Sequence, residues 1–203
     1  MATQSDPARA PVPSGFDFTA HMRLLCVELC ARLDELAHVD VARIAIRFCQ
    51  ARKSVTHGLQ ASLTPLRFQG GALECRRRGR TYTVERIYDR HGREMLYLLS
   101  FYLPRFQNRT FEEKLTTVVH ELWHVGPGFD GDLRRHPGRC WAHSHSQAQY
   151  DAEMRVLAEK WLALDPPAES YAFLRHNFVE LVRHNGHVCG QKIRTPKLIR
   201  QLS

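Results

Sequence analysis

Between Phe18 and His38, apolar side chains recur at Met22, Leu25, Cys26, Leu29, Leu33, Leu36 and Ala37. That spacing of three and four predicts an amphipathic helix, with Asp17 or Thr19 near its start. The next stretch, VDVARIAIRFCQ, sets Ile44, Ile46 and Phe48 two apart in a β-branched run and predicts a strand. SLTPLRF and RTYTVERIYD predict two more, separated by Gly70-Gly71 and an arginine-rich turn around Gly79. His91-Gly92 marks a further turn, after which EMLYLLSFYLP reads as an apolar strand ending at Pro104.

Beyond Pro104 the period changes from two to about 3.6. Thr110-Phe-Glu-Glu113 is a capping box, in which the hydroxyl accepts from the Glu113 amide and the Glu113 carboxylate bonds back to Thr110. The helix it opens runs through LTTVVHELWHV and stops near Gly126-Pro127-Gly128. A loop rich in glycine, histidine and arginine follows. Tyr150 to Leu164 then predicts a second helix ended by Pro166-Pro167, and Glu169 to Asn185 a third ended at Gly186. The tail HVCGQKIRTPKLIRQLS adds a short strand. Helix, strands, then helices is the order of an α+β domain with a small mixed or antiparallel sheet.

A chain of 203 residues builds one sizeable core and falls short of two, so residues 16–203 are expected as a single domain. Residues 1–15 hold three prolines and no apolar stretch, and read as a disordered tail and not as a secretory signal. No apolar run approaches the ~18 residues of a membrane-crossing helix, and a cytoplasmic protein is the expectation. The six cysteines form no CxxC pair, which agrees with reduced, buried thiols. Net charge is +8 and unevenly placed. Residues 67–93 carry eight arginines against Glu74, Glu85 and Asp89, and residues 183–200 carry five basic groups and no acid. Arg76, Arg77, Arg78 and Arg80 are thus candidate contacts for nucleic acid or another polyanion, although a basic run beside a turn is more often a solvated surface.

The chemistry concentrates in His120-Glu-Leu-Trp-His124, an HExxH motif on a helix with its own start signal. At about 100° per residue, the two histidines lie about 40° apart, so both imidazoles reach one ion. Leu115, Val118, Val119 and Leu122 fall on the opposite side, to pack on the sheet. Glu121 sits about 100° round from His120, placed to take a proton from zinc-activated water and return it to a leaving amine. A catalytic zinc uses three protein ligands. His136 is the first candidate for the third, because the glycine-rich loop lets the chain return; His143, His145 and Asp130 are alternatives as ligand or as orienting groups, with Asp132 and Glu153 behind them. A metzincin would want glycine and histidine where Pro127 and Asp130 stand.

The run VVHELWHVGPGFDGDLRRHPG, with the strand-rich segment before it, resembles zinc metallopeptidase families of phage and bacterial genomes. More loosely it is similar to SprT-like zincins, whose later loop carries a third histidine and an HG segment, matched by His136-Pro-Gly138. Over about residues 40–165 the resemblance implies a zincin-like domain, a zinc ion, peptide-bond hydrolysis of a protein or peptide substrate, and His136 as third ligand. Two other readings compete. One is a zinc amidase acting on a non-protein amide. The other is a nucleic-acid-associated protein with a structural zinc, which would have no use for Glu121.

Overall fold

Asp17 places a short acceptor directly before an apolar-periodic run and starts the first helix. Its carboxylate accepts from Ala20 N at 3.0 Å, and α1 (Phe18–Arg32) follows. The computed structural model describes residues 15–51, 58–135 and 147–201; the expected tail therefore lies outside the described residues except for Gly15. Met22, Leu25, Cys26 and Leu29 are fully buried, as their spacing predicts. The helix is shorter than the apolar pattern because Leu33 is extended, yet a 3-10 turn at Asp34–Leu36 still buries Leu36. The strand expected from residue 39 begins only at Ile44. Asp40 accepts from Ala42 N and winds Val41–Arg43 into another 3-10 turn.

Three small sheets result, in a mixed α+β fold. The central one has the order β2 (Ile44–Gln50), β6 (Tyr97–Leu103), β3 (Ala61–Pro65), parallel between β2 and β6 and antiparallel between β6 and β3. The second has the order β4 (Glu74–Arg77), β5 (Arg80–Val84), β8 (Leu198–Arg200), antiparallel throughout. The basic run read as a turn is thus mostly strand, with only Arg78 and Gly79 turning the hairpin. The third pairs β1 (Phe16–Asp17) with β7 (Val188–Cys189).

The two faces of the central sheet differ. Ile44, Ile46, Tyr97, Leu99 and Phe101 share the main core with α1 and with Leu115, Val118, Val119 and Leu122 of α2 (Phe111–Trp123). Trp161 and Met154 of α3 (Gln147–Ala163) complete that layer. Ala45 and Leu98, on the other face, join Leu66 and Met95 in a smaller cluster beneath Val84 and Ile193. Arg47 is buried on that face and donates to Ser100 Oγ (2.7 Å), Ile193 O (2.9 Å) and Thr195 Oγ1 (2.9 Å), which ties the C-terminal segment to the sheet.

The third predicted helix is broken into α4 (Ala168–Tyr171), a 3-10 turn and α5 (Phe178–Asn185), since Asn177 caps α5 through its own capping box with Glu180. The buried Lys114 ammonium donates to Gln107 O and His176 O, fastening α2 to this C-terminal unit. No disulfide joins Cys26, Cys30, Cys49, Cys75 or Cys189, and burial pushes the Cys30 thiol up to about 12. Among the described residues, no helix is long and apolar enough to cross a membrane.

Candidate metal centre and cleft

Helix α2 begins where the sequence predicts. Thr110 Oγ1 accepts from Glu113 N at 3.2 Å, and Glu113 Oε2 accepts from Thr110 N at 3.0 Å. Leu115, Val118, Val119 and Leu122 are at most 1% exposed, which fixes the rotation of the helix and turns the histidine face outward. His124 ends the helix as its C-cap. The chain then reverses: Gly126 N bonds Asp132 O and Arg134 N bonds His124 O at 2.8 Å. Gly126 is required at this crossing, because a Cβ there would stand 2.7 Å from Asp132 O.

The two imidazoles converge. His120 Nε2 and His124 Nε2 are 3.0 Å apart. Nitrogens on one tetrahedral zinc, each about 2.0–2.1 Å from the ion, stand about 3.3 Å apart, so the pair suits that donor set. Both rings pack against Tyr150 at the start of α3, at centroid distances of 4.9 and 5.8 Å. Asp151 Oδ1 lies 3.7 Å from His120 Nδ1, where a carboxylate favours an Nδ1–H tautomer and leaves Nε2 as the lone-pair donor.

Glu121 is 8% exposed, and burial pushes its carboxyl up to about 7, opposed by the Leu63 backbone N–H. The source of that N–H follows from the ladder. Tyr102 N bonds Gln60 O and Leu66 N bonds Leu96 O, so even-numbered residues of β3 pair with β6. Ala61, Leu63 and Pro65 therefore direct their backbone groups to the outer edge. Pro65 sits where its missing N–H costs no ladder bond. A cleft of about 770 Å³ runs between this edge and α2, lined by Gln60, Ala61, Thr117, His120, Glu121 and Asp151 among others.

His136, His143 and His145 lie outside the described residues. Asp130 is held elsewhere: its Oδ1 accepts from Asp132 N at 3.0 Å, and its Cβ lies against Gly71. Asp132 is likewise engaged, receiving Gly70 N, Leu133 N and two Arg135 nitrogens, while Glu153 lines a separate groove with Glu35 and Trp123. Among the described residues, no group of three histidine, cysteine or acidic side chains assembles around one point. Arg76, Arg77, Arg78 and Arg80 stand apart from the histidine pair, on the β4–β5 hairpin. Sequence reasoning had not assigned Tyr150, Asp151 or Leu63 to the site. No local signal marks them, because helix packing and strand register bring them there.

Set against protein-family models, curated proteins and solved structures, the chain matches none of them.

Proposed function

We propose that this protein is a zinc-dependent metallopeptidase in which His120, His124 and His136 hold the metal and Glu121 is the general base. The observation that carries the reading is the 3.0 Å convergence of the two Nε2 atoms at a cleft that Glu121 also lines. His136 remains the sequence's first candidate for the third ligand; it follows two residues after Arg134, whose N bonds His124 O. Tyr150, at the start of α3, packs on both imidazole rings and belongs to the same candidate centre.

Zinc at such a centre supplies Lewis acidity and acidifies water toward a pKa of about 7. The chain's own residues supply the remainder. Glu121, beside the histidine pair on the same helix, would take a proton from the attacking water and deliver it to the departing amine. Asp151, 3.7 Å from His120 Nδ1, would favour the tautomer whose Nε2 lone pair faces the metal. The outward backbone N–H and C=O of Ala61 and the outward C=O of Leu63 offer an extended peptide an edge to pair with, laying its scissile bond along the histidine face. That edge favours a peptide substrate over a small amide.

The test is Glu121→Gln on a peptide library, read beside metal content. The variant is expected to keep about one zinc per chain and to lose turnover by at least about 100-fold. Retained zinc with no cleavage by either protein would leave the metal a structural role; cleavage of small amides but no peptides would favour the amidase.

A further inference from the structure

The two basic segments, about 115 residues apart along the chain, meet in one sheet. The register pairs Tyr82 with Cys75 on β4 and Arg200 on β8, and pairs Arg77 with Arg80. Side chains alternate faces along a strand, so Arg77, Arg80, Tyr82, Leu198 and Arg200 share a face while Glu74 lies on the other. Arg77, Arg78, Arg80, Tyr82 and Leu198 indeed line one concavity of about 420 Å³. A tyrosine ring thus stands among arginines contributed by all three strands.

The charge on this face is uncompensated. Elsewhere Arg32, Arg67, Arg93, Arg109 and Arg135 each pair with a carboxylate. Arg77, Arg78, Arg80 and Arg200 are exposed and enter no ion pair among the described residues. Leu198 is 51% exposed, which adds an apolar surface beside the ring. Guanidinium groups around a planar ring fit a ligand with a repeating anionic backbone and flat π-faced groups. A duplex offers the first but hides the second within its stack; a single strand offers both.

We propose that the β4–β5–β8 face binds single-stranded nucleic acid, with Tyr82 stacking a base and Arg77, Arg78, Arg80 and Arg200 contacting successive phosphates. This site is separate from the histidine cleft and independent of the peptidase reading. Four phosphate contacts on a single strand imply that log K falls with log salt at a slope of about −3.

The experiment is fluorescence anisotropy of the full chain with a labelled oligodeoxythymidine, titrated at several salt concentrations, with a duplex of equal length and heparin as competitors. Tyr82→Ala is expected to weaken binding at least about fivefold and Tyr82→Phe to preserve it, while Arg77→Gln with Arg80→Gln flattens the slope by about 1.4. Circular dichroism establishes that each variant folds, and the surface pair of arginine changes tests the proposal should Tyr82→Ala not fold. Absence of binding at low salt, or duplex and heparin competing as well as single strand with Tyr82→Ala unaffected, would overturn it.

Discussion

Glu121 brings an acidic side chain into a buried position, and this has a consequence for stability. Its folded pKa of about 7 lies above the ordinary carboxylate value, so the protonated form is the one the metal-free fold prefers. The corresponding stability is fully present below about pH 4.5 and is lost as pH rises through about 7, a difference on the order of 3 kcal/mol. In chelator-treated protein, Glu121→Gln is expected to exceed the parent in urea stability by that order at pH 9 and to differ little at pH 5. A pH-independent difference would show that burial of the charge is not what matters. The convergence of His120 and His124 was legible because HExxH is a local pattern whose geometry comes from helical phase. Asp151 and Tyr150 were not, since they reach the histidines only through the packing of α3 on α2.

At the scale of elements, capping decided much of what was readable. Thr110…Glu113 predicted the start of α2 to the residue, and Thr110→Ala is expected to cost about 1 kcal/mol in chemical denaturation. An equivalent signal, Asn177…Glu180, lies inside the third predicted helix and divides it; the apolar pattern alone had run through it. Strand β2 began late for a related reason, because the Asp40 side chain competes locally for Ala42 N. The free edge of β3 has its own test. Ala61→Pro removes an outward N–H without breaking a bond to β6 and leaves the Leu63 N–H on Glu121, so the protein is expected to fold and keep its zinc while peptide cleavage falls about tenfold or more. Unchanged cleavage with folding intact would detach this edge from substrate binding.

Across the whole molecule, the α+β class and the order of elements followed from the sequence, whereas the sheet topology did not. Hydrophobic alternation does not say that β2 runs parallel to β6, nor that β8 returns to the arginine hairpin. Those pairings join residues far apart in the chain, and buried polar contacts such as the Arg47 bonds to Ser100, Ile193 and Thr195 hold them. Arg47→Ala is expected to destabilise the protein by about 1–3 kcal/mol and to make the C-terminal segment the first site of limited proteolysis. Cleavage that begins elsewhere would show that this segment is held by other contacts. A zinc centre built on α2 is tested by the metal content of the purified chain beside His120→Ala and His136→Ala. About one zinc per chain, lost in both variants, is expected; a parent chain that takes up no zinc when it is supplied would rule such a centre out.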